Sequence, residues 1–409
     1  MSAEPDYHPP CIVLGLETQI GLCIVRELGQ AGVRVIGIAH DWGAIGLRSR
    51  YLTERLVVEE PRSDLLRQSI RAIGNRYGPC PLLAISEANL SWLDKHRGEF
   101  GQVFPVLPDA AAMSIVLDKR ATLKAALAVG ITPPASIQPE PGWQVSDLLE
   151  QCRLPAVLKW SDPNAAAPLL ARHGLPLLKA EYAHTPEELL MALERYSPIG
   201  AWPIVQEYCK GYGLGQFFFM HQGKALQRFQ HRRVAEWPPE GGFSSVCEGV
   251  PLSEHTELQA RSIALLRSIG WEGVAMVEFR FDPETQEAKL MEVNGRFWGS
   301  FPLAYYSKAG FALLSYQLGA GLPLVDLATP RSDLRCRMVS TELKRLARIV
   351  LQRGEIADHA FLVRPWHELW RFIRDFFRSN VRYYVWSLDD PQPFIADLRE
   401  MIGNTLRRS

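Results

Sequence analysis

The sequence predicts an α/β protein in three parts: a small parallel α/β domain, a larger α+β region and a helical C-terminal extension. Three observations carry this reading. Short apolar runs at Cys11–Leu14 and Val33–Ile38 flank a stretch where Ile20, Ile24 and Leu28 recur at helical spacing. Much later, Val274–Phe281 and Ala288–Asn294 alternate bulky apolar with small or charged residues about an Asp282-Pro283 turn. Near the end, Trp366, Trp370, Phe372, Phe376 and Phe377 are interleaved with arginines in an amphipathic helix pattern. At 409 residues the chain has room for two or three domains and an ample core.

Composition excludes several classes. With 45 basic and 45 acidic residues the chain carries no electrostatic footprint for nucleic acid. Seven cysteines, an odd number without CxxC pairs, argue for free thiols and against a disulfide or zinc framework. The start, MSAEPDYHPP, lacks the apolar core of a signal peptide, and no apolar run approaches the ~20 residues of a membrane span. A cytoplasmic protein is expected.

The first strand–helix–strand unit places Gly15 and Gly21 around its turn, and Gly32 where the helix stops. The pattern is not GxGxxG, so the unit reads as Rossmann-like without a dinucleotide fingerprint. A helix over Ser63–Tyr77 and a strand over Leu82–Ile85 form a second unit, and Phe104-Pro-Val-Leu-Pro108 closes a domain ending near residue 112. Ligands of such sheets sit beyond the strand C-termini, which makes Gly15–Thr18 and His40-Asp41 candidates.

Asp118-Lys119 opens a helix through Val129, which Gly130 stops. Leu154–Lys159 is an apolar strand ending in lysine, whose ammonium must escape or find an anion. Pro203–Tyr208 is an apolar strand with a polar end, followed by Gly211 and Gly213. Two strands over Gly215–His221 and Ala225–Gln230 form a hairpin about Gln222-Gly223. Arg232, Arg233 and the glycine–serine run 241–245 then read as an anion-binding loop. A helix over Glu257–Ile269 leads back to the second alternating pair, a helix over Leu303–Leu314 is interrupted at Gly310, and a last helix runs to Thr405.

On the hairpin at 274–294, strand alternation puts Glu278 and Arg280 on one face. Glu292, Asn294 and Arg296 share a face of the second run. Pairing Glu278 with Glu292 centres the turn on Thr285, where Asp-Pro-Glu-Thr-Gln provides turn chemistry. Two carboxylates and an amide oxygen then converge beside a guanidinium. That set suits a hard cation such as Mg²⁺, which binds one or two carboxylates plus phosphate oxygens and water. The ordinary alternative is a solvated hairpin face. Met291, Val293, Phe297 and Trp298 argue instead for burial, and buried charge needs a partner or a metal.

These residues resemble the metal-binding end of the ATP-grasp superfamily, and the arrangement of Arg232, Arg233, Glu236 and the following glycine–serine run is similar to its carboxylate–amine ligase group. The resemblance implies a Rossmann-like pre-ATP-grasp domain over 1–112, a two-lobed ATP-grasp module over 113–330 with its hinge near 206–213, and the helical extension over 331–409. It implies ATP and Mg²⁺, two ions with Mn²⁺ as a substitute, held by Glu278, Glu292 and Asn294. It implies Lys119 and Lys159 on nucleotide phosphates, with Lys179 as a further contact. Hinge residues Gln206, Glu207, Tyr208 and Gly213 would serve the adenine, and Gln216 would serve the ribose. Arg296 would stabilise the transferring phosphoryl group, and Arg232 or Arg233 would orient a substrate carboxylate.

The implied reaction joins a carboxylate, an amino acid or small peptide-like acid, to an amine through an acyl phosphate. Two departures stand out. The stretch after Lys159 lacks the family's glycine-rich loop, and no acidic residue follows Gly213. They keep open a nucleotide-binding or membrane-peripheral protein without turnover, and carboxylation or carbamoyl transfer remains a further chemistry. Small-molecule substrates are the expected partners, and a homodimer stays open. The aromatic 360–380 region is expected to pack on the core or at a dimer contact rather than on a membrane surface.

Overall fold

The computed structural model describes residues 8–161, 163–178, 180–356, 358 and 361–406; for 163–165, 355 and 400–406 it describes the backbone alone. Lys179 and Asp162 lie outside the described residues. The N-terminal sheet holds β1 (Cys11–Leu14), β2 (Val35–Ala39), β3 (Leu52–Val57), β4 (Cys80–Ala84) and β5 (Val103–Pro105) in the order β3-β2-β1-β4-β5. Every pairing in it is parallel, the Rossmann-like arrangement the sequence predicts. Helix α1 (Gln19–Gln30) covers one face, and α2 (Asp64–Tyr77) and α3 (Glu87–Lys95) cover the other. Ser63 and Ser86 cap α2 and α3, their hydroxyls accepting from the N–H groups of Leu66 and Asn89.

Two helices, α4 (Ala110–Leu117) and α5 (Lys119–Ala128), lead out of this sheet. Asp118 caps α5 by accepting from the N–H groups of Arg120 and Ala121. A small antiparallel sheet follows in the order β6-β9-β7-β8, from β6 (Ser136–Ile137), β7 (Ala156–Lys159), β8 (Glu181–Ala183) and β9 (Ile204–Glu207). It carries α6 (Val145–Gln151), α7 (Pro163–Arg172) and α8 (Pro186–Glu194). Helix α7 follows β7 directly, in the position where the glycine-rich loop is missing.

The large sheet runs β14-β13-β10-β11-β12-β15-β16. Its strands are β10 (Tyr212–His221), β11 (Lys224–Trp237), β12 (Phe243–Gly249), β13 (Gly273–Asp282), β14 (Glu287–Asn294), β15 (Arg335–Arg337) and β16 (Val381–Tyr383). The β10–β11 hairpin turns at Gln222 and Gly223, whose φ values of 49° and 72° match the tight hairpin turn that right-handed strand twist favours. Helix α9 (Thr256–Ser268) precedes β13, and α10 (Phe301–Tyr306) and α11 (Phe311–Gly319) follow β14. Gly310, with φ 68°, makes the predicted interruption between the last two. Strands β15 and β16 come from the C-terminal extension. That extension holds the expected helices α12 (Val339–Leu351), α13 (Pro365–Arg374) and α14 (Gln392–Leu406), and also extends the large sheet past β12.

One apolar cluster joins α1, α10, α11 and one face of the large sheet, including Phe217, Phe229, Phe301, Phe311 and Tyr384. Polar groups buried along the same seam fix its geometry. Arg26 on α1 donates to Asp390 at 3.0 Å, and Asp390 also accepts from the Ser49 hydroxyl at 2.7 Å and the Arg50 N–H at 2.9 Å. Glu27 accepts from the N–H groups of Ala312 and Leu313 at 2.8 and 2.9 Å, donors of the first α11 turn that have no partner within the helix.

Burial pushes the Glu27 carboxyl from 4.5 up to about 7, although those two N–H groups pull it down. A raised folded-state value favours the protonated form. The associated stability is complete below 4.5 and is lost as pH rises through about 7. The Glu27→Gln variant is expected to lack this loss. Urea denaturation of the two proteins should show a difference that grows by about 3 kcal/mol across that window.

Candidate active site

A cavity of about 710 Å³ opens between the small sheet and the large one, with the N-terminal domain at its rim. Its lining includes Lys119, Lys159, Gln206, Glu207, Tyr208, Gly213, Arg233, Glu278, Glu292 and Asn294, all of them expected at a site. The large sheet supplies the floor. Strand alternation places Gly213 and Gly215 of β10 on the same face as Glu278 and Arg280 of β13, because Gly213 pairs with Arg280 and Gly215 with Glu278.

The predicted pairing of Glu278 with Glu292 is present, and a bulge makes it so. Near the turn the register is Asp282 with Glu287, Arg280 with Lys289 and Phe279 with Leu290. Met291 is then the extra residue, and Glu278 meets Glu292. Were Met291 instead paired opposite Glu278 in regular register, Glu292 would turn toward the core beside Val277. The bulge keeps Glu292 and Asn294 on the cavity side while Leu290 and Val293 stay in the core. Asn294 donates from Nδ2 to Glu292 Oε1 at 2.8 Å, so its carbonyl oxygen is the atom left to accept a cation.

Arg233 reaches Glu278 across the intervening strand. It stands on β11, Glu278 on β13, and β10 lies between them. Its guanidinium ends 2.6 Å from Glu278 and 3.0 Å from Glu236, and it donates to the Gly242 carbonyl at 2.8 Å. The path exists because β10 carries glycine there. A Cβ at Gly213 would stand 2.6 Å from Arg233 Cδ, and one at Gly215 2.7 Å from His231 Nε2. Arg280 closes the network, pairing with Glu236 at 3.0 Å. Burial pushes Glu278 up to about 7, with Arg233 pulling it down and Glu292 and Glu236 pushing further. Burial also acts to raise Glu236, but Arg280 and Arg233 outweigh it and hold that carboxyl below its usual value.

Other expected residues come out differently. Arg232 is the neighbour of Arg233 on a continuous strand, not part of a loop, so it points the other way. It is half exposed, pairs with Glu248 and drops out of the site. The serines of the expected anion loop, Ser244 and Ser245, lie buried in β12. Gln216 is also out of reach: it is buried, bonded to Gln230 at 3.2 Å and to the Ser262 hydroxyl at 2.8 Å. Gly213 lines the cavity, but its evident task is room for Arg233. Arg296 lies at the rim, where its Nε donates to Glu87 of α3 at 3.0 Å. Glu17 accepts from the His40 N–H at 2.6 Å, so the predicted loop ends of β1 and β2 bond to each other.

The small sheet supplies the opposite wall. Burial lowers the Lys159 pKa, with Lys119 and Arg280 adding to it, and its ammonium is 3.4 Å from Gln206 Oε1. At the hinge the N–H groups of Glu207 and Tyr208 already bond to the carbonyls of Ala135 and Pro155. Those two donors are therefore already taken, and Cys209 is next in the lining. Glu207 pairs with Lys289 at 3.2 Å, and the Tyr208 hydroxyl donates to Asp358 at 2.9 Å. Glu236 and Arg280, named in the sequence without an assigned role, and Glu87, not named there, also line the cavity. Alternation with Glu278 marks Arg280, whereas nothing local to Glu87 marks it.

The donor set fits a magnesium nucleotide. Among the described residues no cluster of three or more His, Cys, Asp or Glu side chains forms a protein-only cage. Two carboxylates and an amide oxygen are what Mg²⁺ takes when phosphates supply the remaining ligands.

Residues 247–326 match the family model for the carbamoyl-phosphate synthase L chain, ATP binding domain. No curated protein matches the chain. The structure is similar to the biotin carboxylase domain of Hydrogenobacter thermophilus 2-oxoglutarate carboxylase, a dimer solved with MgADP and bicarbonate, at TM-score 0.60 and 12% identity over 80% of this chain and 74% of that one. Biotin carboxylase from Campylobacter jejuni gives the same TM-score and identity over the same shares. N5-carboxyaminoimidazole ribonucleotide synthetase from Thermus thermophilus gives TM-score 0.58 and 15% identity over 80% and 82%. At these identities the likeness is one of fold.

Removing Arg233 leaves Glu278 and Glu236 buried with one partner fewer. Arg233→Gln is expected to destabilise the protein by about 3–5 kcal/mol. Adding Glu278→Gln should recover part of that loss, because the uncompensated carboxylate is gone. A double-mutant cycle in urea reads both.

Proposed function

We propose that this chain, similar in fold to ATP-grasp enzymes, is an ATP-dependent ligase that activates a carboxylate and transfers it to an amine. The observation that carries the reading is the convergence of Glu278, Glu292 and Asn294 with Lys119, Lys159 and the Arg233 guanidinium in one cavity. Anionic phosphates, a cation and a substrate carboxylate all find a charge partner there.

Glu278, Glu292 and Asn294 would hold Mg²⁺, which when bound would supply positive charge against the phosphates. Lys159 enters from a buried strand end and holds the nucleotide phosphates, with Lys119 at the start of α5 beside it. The acid's oxygen attacks the γ-phosphorus, the bond to ADP breaks, and an acyl phosphate forms. The amine nitrogen then attacks the acyl carbon, phosphate leaves, and the amine loses a proton. Arg233 would orient the acid through the N–H groups left over once its two terminal nitrogens have paired with Glu236 and Glu278. Arg296, released from Glu87, supplies positive charge to the transferring group from the domain rim.

A second reading takes bicarbonate as the acid, so that the same first step gives carboxyphosphate. It is supported by the carboxylases among the similar structures. The two share every residue named above and differ only in the acid.

The test is phosphate and ADP release from MgATP with a panel of amino acids, small peptides and bicarbonate, each with and without amines. Release that requires both an acid and an amine, and that falls at least about a hundredfold in Glu292→Ala, is the expected outcome. Release with bicarbonate alone favours the second reading. MgATP binding without turnover across the panel favours a non-catalytic nucleotide-binding role, and no MgATP binding overturns the assignment.

A further inference from the structure

Helix α13 is built inside out. Its charged side faces inward. Glu368 pairs with Arg345 at 2.6 Å and with Arg371 at 2.7 Å, and the Arg371 guanidinium also donates to the Val234 carbonyl of β11 at 2.9 Å. One residue past the helix, Asp375 is buried against Arg335 at 2.7 Å. The apolar side faces out. Trp366, Leu369, Trp370 and Ile373 recur at the spacing of one helical face and are exposed, Trp366 at 81%, and Phe377, three residues past the helix, is exposed at 85%. The sequence led us to expect this face on the core or at a dimer contact. The core side is instead taken by the ion pairs.

We propose that this face docks the protein on an anionic membrane surface, with α13 lying in the plane of the interface. Exposing two indoles and a phenyl ring in one row forfeits burial that the opposite orientation would have gained, which marks an interaction site rather than scattered surface residues. The charge around the row selects the occupant. Between residues 361 and 382 the two acidic side chains, Glu368 and Asp375, are both consumed in buried pairs. Arg364 and Arg374 stay exposed beside the aromatic row, and Arg378 is half-buried. Apolar aromatics flanked by arginines with no exposed acid are complementary to acidic headgroups. A second copy is a poorer fit, since a two-fold contact would set Arg364 and Arg374 against like charge. Ten helical residues cannot cross a bilayer, and among the described residues no helix is long and apolar enough to do so. Leu362, before the helix, extends the apolar row at 66% exposure.

Arg371 ties the docking helix to β11 beside Val234, next to Arg233, so the surface and the cavity share a strand. The inference is independent of the ligase reading, because vesicle binding needs no nucleotide.

The experiment is co-sedimentation of the full chain with phosphatidylcholine vesicles, with and without phosphatidylglycerol. Binding is expected to the anionic vesicles, to fall with salt, and to drop about fivefold for each of Arg364→Gln and Arg374→Gln. The triple variant Trp366→Ser, Trp370→Ser, Phe377→Ser should lose binding by at least about tenfold per ring. Its melting temperature should match or exceed that of the parent, since these side chains contribute no core contacts. Sedimentation with neither vesicle overturns the proposal. So does a triple variant that binds as the parent does, or equal binding to neutral and anionic vesicles. A parent dimer that the triple variant dissociates, in sedimentation velocity without lipid, gives the face to a second copy and overturns it as well.

Discussion

The ion pair between Arg233 and Glu278 is the contact on which the cavity floor depends. It spans three strands, and β10 makes room for it with glycine at 213, against the Arg233 side chain, and at 215, against His231. A side chain at either position would collide with Arg233 or His231. The pair carries a cost: two charges are taken out of water, and burial raises Glu278 to about 7. That cost is offset by Glu236 and Arg280, which continue the alternation of sign across the sheet. A carboxylate kept this close to neutrality, with a guanidinium beside it and Glu292 opposite, is poised to gain from a divalent cation.

The rest of the chain holds that floor in place from behind. Arg26 and Asp390 bind the first helix to the end of the chain, and Glu27 caps α11, which packs behind the large sheet. The extension contributes β15 and β16 to the sheet edge, so β12 is an interior strand. Asp358 of the same extension accepts from Tyr208 at the hinge. Three regions that look separable along the sequence therefore share one apolar seam and several buried polar contacts.

The extension also explains why its helix faces the wrong way by the usual rule. Arg335, Arg337, Arg345 and Arg371 crowd the space between α12, α13 and the sheet, and they need carboxylates there. Glu342, Glu368 and Asp375 supply them. Once those residues face inward, the helical period sends Trp366, Trp370 and Ile373 outward. Buried ion pairs are seldom the most stabilising way to fill a core, so their presence under α13 is a reason to look for a use of the outer face.

Period and punctuation were legible in the chain alone. Alternation placed Glu278 and Arg280 on one face, and Asp282-Pro283 fixed the turn. Capping residues Ser63 and Asp118 set helix starts to within a residue, since these signals act over three or four positions. Even the pairing of Glu278 with Glu292 could be read, although the bulge at Met291 that produces it could not. What local sequence could not state was anything that depends on which strand lies beside which. Arg232 and Arg233 look equivalent in a row of letters, and only the strand's two faces separate them. Gln216 looked available to a ribose until Gln230 and Ser262 were found against it. The aromatic helix had a clear apolar face in the sequence, but its direction was set by arginines brought from distant segments. Local periodicity specifies a face; long-range charge pairing and packing decide where that face points.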